Sequence, residues 1–324
     1  MLRSSWTRPA HAAALVAGLL LLPFAPASLQ AAAPMAKSQA PGYYRMMLGD
    51  FEITALSDGS FDLPVDTLLQ QPPEKTQAAL ASYFQKVPVE TSVNAYLVNT
   101  GAKLVLIDTG TGGLSGPTSG TLLANLRAAG YQPEQVDEVF ITHMHGDHVG
   151  GLSHGGAAVF ANAQVHAGQA DADYWLSAAS MAKAPEAFKG FFQTAISSMA
   201  PYTASSRFKP IQAKAEVVRG ITAWPTPGHT PGHTSYVVES QGQKLIVMGD
   251  LIHVAAVQLD DPSVTISFDS DPKKAASERD TVFKQAAKDG SLIAATHLQF
   301  PGMGHLKSNG KGWQFVPVNY SRMR

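Results

Sequence analysis

His143-Met144-His145-Gly146-Asp147-His148 places four side chains of metal-ligand type within six residues. The stretch before it, Val136 to Thr142, reads as a buried strand, so the cluster sits in the loop that leaves the strand's C-terminal end. In such a loop, alternate side chains can converge on one point. Three imidazoles and a carboxylate suit zinc or a similar first-row divalent ion. The alternative is a polar loop that happens to be rich in histidine, and four ligands this close rarely arise that way. Three more residues repeat the placement. His229 lies in Thr226-Pro227-Gly228-His229-Thr230-Pro231-Gly232-His233, where the Pro-Gly pairs force tight turns. Asp250 follows the apolar run Lys244 to Met248, and His297 follows Leu292 to Ala295. Singly, each reads as a structural polar residue. Together with the cluster they make a ligand set on loops held by rigid strands.

Composition limits the chemistry. The chain has 324 residues, 45% apolar and 15% charged, with eleven histidines and no cysteine. Without cysteine there is no disulfide, thiolate zinc site, iron–sulfur cluster or cysteine nucleophile. Lys plus Arg number 24 and Asp plus Glu 25, a formal charge of -1. That balance argues against nucleic-acid binding, which needs a basic field, and suits a small uncharged substrate.

The N-terminus reads as an address. Arg3 and Arg8 precede an apolar run from Ala12 to Leu22, and Pro23, Pro26 and small residues through Ala33 follow. This is signal-peptide patterning, and the run is too short for a membrane span. A helix of the mature fold would need a polar face that this segment lacks. Residues 1–33 are therefore expected to be a signal peptide, 34–42 a flexible lead-in and 43–324 one compact domain. Export to the periplasm or beyond is the expected localisation, with no membrane contact after cleavage.

Within the domain, strands are expected at Phe51 to Leu56 (ending at the Asp58-Gly59 turn), Ser92 to Val98, Leu104 to Ile107, Val136 to Thr142 and Gln164 to Ala167. Others fall at Val217 to Trp224, Ser235 to Glu239, Lys244 to Met248, Leu292 to Ala295 and Phe315 to Val318. Helical spacing marks Lys75 to Gln85, with Ala78, Ala79, Tyr83 and Phe84 inward. It also marks Leu122 to Ala129, Gln169 to Ser180, Pro185 to Met199 and Lys273 to Ala287. Strands and helices mixed along the whole chain imply an α/β fold of two sheets covered by helices.

The HxHxDH run at 143–148, with His229, Asp250, His297 and the Leu106-Ile107-Asp108-Thr109-Gly110 stretch, resembles the metallo-β-lactamase superfamily. The resemblance implies an αββα sandwich with the site at one edge of the two sheets. It implies that His143, His145 and His229 hold one metal ion, that Asp147, His148 and His297 hold a second, and that Asp250 bridges them. Asp108 would orient a ligand imidazole. Two divalent ions are implied, zinc by default, with manganese, cobalt or iron also suited to these donors. A metal-bridging hydroxide would be the nucleophile, with Asp250 and Asp147 the candidate catalytic carboxylates. Further stretches, Tyr43 to Gly59, Thr91 to Thr109, Tyr131 to Gly151, Gly242 to Asp271, Phe300 to His305 and Phe315 to Tyr320, resemble the methyl parathion hydrolase branch. That branch also contains dihydrocoumarin-type lactonases, and a homodimer is implied by the same resemblance.

Lactone or aryl ester hydrolysis, with weaker organophosphate triester hydrolysis, is the expected activity. A phosphotriesterase is the first alternative and a non-catalytic metal-binding protein the second. His253, Ile266 and Phe268 follow Asp250 closely and are bulky. As pocket residues they would crowd the alkoxy arms of a triester; as core residues they would only pack. Trp175, Phe191 and Phe192 form a candidate aromatic entrance, with helical core packing as the alternative. His233 is read either as a general acid or as a buried histidine bonded to the backbone.

Overall fold

The computed structural model describes residues 1 and 33–321. Of the signal-peptide segment, residues 2–32 lie outside the described residues. Residues 33–42 carry no helix or strand, and the described residues from 40 onward belong to one compact unit.

One seven-stranded sheet contains β1 (Tyr43–Leu48), β2 (Phe51–Leu63), β3 (Val89–Asn99), β4 (Leu104–Ile107), β5 (Glu138–Phe140), β8 (Gln164–Gly168) and β9 (Phe208–Ile211), in that order. β6 (Ser153–His154) and β7 (Ala157–Ala158) form a separate small hairpin. The second seven-stranded sheet contains β10 (Ala215–Val218), β11 (Ile221–Pro225), β12 (Thr234–Ser240), β13 (Gln243–Val247), β14 (Leu292–Ala294), β15 (Met303–Ser308) and β16 (Trp313–Pro317). Pairing is parallel along β4, β5, β8 and β9 and between β13 and β14; elsewhere it is antiparallel. The nine α-helices among the described residues are α1 (Val65–Leu68), α2 (Pro73–Ser82), α3 (Leu122–Ala128), α4 (Gly146–Val149), α5 (Gln169–Trp175), α6 (Ala178–Lys183), α7 (Glu186–Ala204), α8 (Ala255–Gln258) and α9 (Pro272–Asp289).

The apolar pattern of β4 shows why the sheets are covered on both faces. Val105 and Ile107 pack between the sheets, against Tyr236 and Val247. Leu104 and Leu106 point the other way, into a core shared with Leu126 of α3 and Phe192 and Met199 of α7. A strand with apolar side chains on both faces must be buried on both. The second sheet repeats this: Ile246 and Ile293 pack outward against Val282, Phe283 and Ala286 of α9. These layers make an αββα sandwich. α9 shows its sequence logic plainly. The Asp271 side chain caps its first turn through the Lys274 N–H, Pro272 starts it, and Gly290 ends it at a φ of 64°. Its buried residues Ala275, Arg279, Val282, Phe283 and Ala286 follow helical spacing.

Several expectations need correction. β2 does not stop at Asp58-Gly59 but runs to Leu63 through a bulge between Ser57 and Gly59. The Asp58 carboxylate is taken instead by backbone N–H groups of Thr111, Gly120 and Leu122. α2 ends at Ser82, so Tyr83 and Phe84 fall beyond its inner face and are exposed; Thr76 and Leu80 are buried in their place. The helix expected over 169–180 breaks at Ser177, whose hydroxyl caps α6 through the Ser180 N–H. The strand expected over 217–224 is two strands turned at Gly220. Strands β1, β6, β7, β9 and β15 carry no expectation from sequence.

Candidate metal centre

Parallel strands send their C-terminal ends to one edge, where open α/β sheets place ligands. β4 ends at Asp108, β5 at the 143–148 loop, β13 at Asp250 and β14 at His297. The turn between β11 and β12 adds His229. All seven expected ligands meet there. His143, His145, His229 and Asp250 form one group and Asp147, His148 and His297 another, each with donor atoms within 4.8 Å of one another.

The donor spacing tests whether a cation fits. Four ligands at ordinary zinc distances around a tetrahedral ion stand about 3.3 Å apart. In the first group, His145 Nδ1 lies 3.0 Å from His143 Nε2 and 3.1 Å from His229 Nε2. Asp250 Oδ2 lies 3.6 Å from His143 Nε2 and 3.3 Å from His229 Nε2. In the second, Asp147 Oδ2 lies 3.6 Å from His148 Nε2 and 3.4 Å from His297 Nε2. Asp250 closes this group too, with Oδ1 3.2 Å from His148 Nε2 and Oδ2 3.2 Å from His297 Nε2. His148 Nε2 and Asp250 Oδ1 are buried and have no hydrogen-bond partner. Leaving such atoms unpaired costs free energy, and a shared cation would satisfy both. The residues fit two divalent ions joined by Asp250.

The outer ring nitrogens fix which nitrogen faces inward. His148 Nδ1 lies 2.8 Å from Asp108 Oδ2, His229 Nδ1 2.9 Å from Asp269 Oδ1, and His297 Nδ1 2.9 Å from the Ser92 carbonyl. Asp108 sits at a φ of 62°, a left-handed conformation that short polar side chains tolerate best. It also accepts from the Thr142 N–H and hydroxyl, at 2.8 Å each. Asp108 thus stands between the Thr142 backbone and the His148 ring. Asp269 went unrecognised because it stands forty residues from its histidine, with no motif around it.

Burial pulls every imidazole here toward its neutral form. For His143 and His145 burial prevails, and both lie well below the usual histidine value. At His148, the carboxylates of Asp250, Asp147 and Asp108 outweigh burial and hold it well above that value. His229 is likewise buried, yet Asp250 and Asp269 push it up to about 9. Among protein groups alone the site thus gathers positive charge as protons. Divalent cations would displace those protons, since metal binding requires neutral imidazole.

His233 takes the structural role. It is fully buried; its Nδ1 lies 3.1 Å from the Thr226 carbonyl and its Nε2 accepts from the Asp250 N–H at 3.1 Å. Burial and the neighbouring His229 push it down to about 3, so it is a neutral strut rather than an acid. Gly249 makes this contact feasible: it has a φ of 54°, and a Cβ there would stand 2.7 Å from His233 Nε2.

A cavity of about 400 Å³ opens over the centre. His145, Asp147, Asp250, His253 and His297 form its polar part; Phe61, Leu63, Leu114, Phe191 and Phe268 are its main apolar walls. Of the six residues expected around a pocket, Phe191, Phe268 and His253 line this cavity. Trp175, Phe192 and Ile266 are corrections, because they do not line the cavity. Phe192 faces the α7 core, Ile266 packs with Leu69 and Val257, and Trp175 lies behind the ligand, its ring edge-on to His145 at 5.2 Å. Aromatic residues at helical spacing pointed inward here, and only Phe191 faces the opening. His253 Nε2 lies 3.1 Å from Asp250 Oδ2, and its ring stacks on His297 at an interplanar angle of 20°. Asp250, His253 and His297 make a third group with donor atoms within 4.8 Å of one another, and both His253 ring nitrogens are buried without a hydrogen-bond partner, so His253 lines the cavity and is a further candidate donor beside the seven.

Two seven-stranded sheets between helices, with a His/Asp centre suited to two cations at the strand ends, define a metallohydrolase class of architecture. The chain belongs to the metallo-beta-lactamase superfamily, whose model matches residues 88–297. Its fold superposes on the hydrolase AbOPH of the beta-lactamase superfamily with a TM-score of 0.83 and 40% identity, over 88% of this chain and 100% of that one. AidC, a dizinc quorum-quenching lactonase, superposes with a TM-score of 0.80 and 26% identity, over 87% and 99%. An N-acyl homoserine lactonase of Bacillus cereus is 26% identical over 123 residues, covering 38% of this chain and 41% of that protein. The chain spans less than two thirds of the length of the curated relatives it matches.

Proposed function

We propose that this protein is a dinuclear metal-dependent hydrolase of lactones and aryl esters such as dihydrocoumarin, within the methyl parathion hydrolase branch, with slower hydrolysis of aryl organophosphate triesters. The observation that carries this reading is the cavity: an opening of about 400 Å³ with apolar walls, floored by Asp147, Asp250 and His297. That volume suits one small substrate with an aryl ring.

His143, His145 and His229 would hold one ion, Asp147, His148 and His297 the other, and Asp250 both. When bound, a pair of divalent cations supplies an activated water at neutral pH and polarises the scissile carbonyl or phosphoryl oxygen. The protein's own work is placement. Asp250 is fixed from behind by its N–H bond to His233 and brings the two ligand groups together. Phe61, Phe191 and Phe268 exclude water and hold an aryl ring against the centre. A phenolate leaves with little protonation, so no general acid is needed, in keeping with the enclosed position of His233. His253 and Phe268 narrow the cavity on the Asp250 side, which disfavours the two extra alkoxy arms of a triester.

A second reading, an N-acyl homoserine lactonase, is favoured by the likeness to AidC and to the Bacillus cereus enzyme. Comparing kcat/KM for dihydrocoumarin, an aliphatic homoserine lactone and methyl parathion on metal-loaded protein separates the readings. Dihydrocoumarin is expected to lead, with methyl parathion at least about tenfold lower. His253→Leu should shift the ratio toward methyl parathion, and a chelator should abolish all three activities. A lead for the aliphatic lactone selects the second reading, and a lead for methyl parathion makes the protein a phosphotriesterase. Tight metal binding with no hydrolysis of any of them makes it a non-catalytic metal binder.

A further inference from the structure

Asp171 is fully buried and belongs to none of the ligand groups. It is the third residue of α5, a position from which a carboxylate commonly serves its own helix end. Here it reaches away from the helix. Its Oδ2 accepts the Met144 N–H at 3.0 Å and its Oδ1 accepts the Gly232 N–H at 2.6 Å. Met144 stands between His143 and His145, and Gly232 lies three residues after His229. One carboxylate therefore holds the two loops whose donors, His145 Nδ1 and His229 Nε2, approach to 3.1 Å.

The surrounding packing shows that this contact is built closely. A Cβ on Gly232 would stand 2.3 Å from the Asp171 nitrogen, and one on Gly168, the residue before α5, would stand 2.2 Å from the Gly232 carbonyl. The 226–233 turn thus rests backbone to backbone on the start of α5. One helical turn beyond Asp171, Trp175 puts its ring edge-on to His145. α5 thereby braces His145 by its ring and the 143–145 and 229–232 segments by their backbones. The second group has its own supports: Asp108 on His148, and the Ser92 carbonyl on His297. Met144 shares its loop with Asp147 and His148, but these two stand beyond it on α4, where Asp108 holds His148 separately, and Asp171 makes no hydrogen bond to the segment of His297.

We propose that Asp171 is a positioning residue for the His143–His145–His229 locus: by holding Met144 and Gly232 on one carboxylate it sets the separation of these donors and hence the cation affinity of that locus, leaving the Asp147–His148–His297 locus nearly untouched. The inference rests on the dinuclear reading of the centre.

The test is a metal titration of the full chain, stripped and reloaded with Zn²⁺ against a chromophoric chelator, with Co²⁺ absorption spectra as a second readout. Wild-type protein should bind two ions. Asp171→Ala should weaken one ion by about 10–100-fold and the other by less than about threefold. At one Co²⁺ per chain its spectrum should match that of His229→Ala, which lacks a donor of the first locus, and differ from that of His297→Ala. Asp171→Asn keeps one acceptor oxygen and should show a smaller loss at the same ion; it decides the matter if the alanine variant does not fold. Equal weakening of both ions, or unchanged affinities with only a lower unfolding temperature, would overturn the role of Asp171. A wild-type protein that binds fewer than two ions would overturn the dinuclear reading itself, and the inference with it.

Discussion

The two halves of the centre use similar donors in different settings. The first, His143, His145 and His229, is all imidazole apart from Asp250; His143 and His229 are essentially inaccessible, and only His145 of the three reaches the cavity wall. It is supported by Asp269, by Asp171 and by the Trp175 ring. The second half includes a carboxylate of its own, Asp147, whose side chain is 20% exposed on the cavity wall. Its supports, Asp108 and the Ser92 carbonyl, come from β4 and β3 of the first sheet. The enclosed half depends on how loops are spaced against each other. The other half depends on side chains at strand ends, and its Asp147 and His297 share the cavity wall with His145.

Three experiments would break or sharpen that contrast. The largest effect is expected at Asp250, the one ligand both halves share. Asp250→Ala should release both ions and lower kcat/KM by more than about a thousandfold, beyond the cost of losing a single transition-state contact. Retention of both ions, counted by elemental analysis, would end the account of Asp250 as a bridge. Next come the orienting carboxylates. Asp269→Ala should weaken the His229 ion by about 10–100-fold and spare the other, and Asp108→Ala should do the reverse at the His148 ion. If either variant weakened both ions alike, the halves would not be separable.

The smallest effect concerns His233, which supports Asp250 from behind. Its folded pKa, about 3, lies below the unfolded value of 6.5. A depressed histidine takes a proton more readily in the unfolded chain. Its contribution to stability is therefore full above pH 6.5 and is lost as pH falls toward 3, at no more than about 1.4 kcal/mol per pH unit. In chelated protein, urea midpoints between pH 4 and 7 should fall less steeply for His233→Gln than for wild type. Parallel curves would show that His233 is not the group responsible.

What was legible in the sequence follows the range of the interactions. The 143–148 cluster is local, so its spacing alone announces ligands, and β4 announces a doubly covered strand because four consecutive residues are apolar. His229, Asp250 and His297 became readable only as a set, each after an apolar run. Asp171 and Asp269 were not readable: their partners stand 27 and 40 residues away, and single acids in polar surroundings carry no pattern. Trp175 and Phe192 misled because sequence shows that a helix has an apolar face but not which object that face meets. Asp58-Gly59 misled for a related reason: the dipeptide favours a turn, but the Asp58 carboxylate bonds a distant loop and the strand passes through.

The origin of the ligands has a final consequence. His143, His145 and His148 leave the first sheet after β5, while His229, Asp250 and His297 leave the second after β11, β13 and β14. Any ion seated in either half is therefore riveted across the sandwich, and its binding energy is available only when the two sheets are docked. Ligands that bind the folded form alone raise its population by mass action. For this chain, which has no disulfide to do that work, the supply of metal would regulate how much folded protein exists as well as how fast it works.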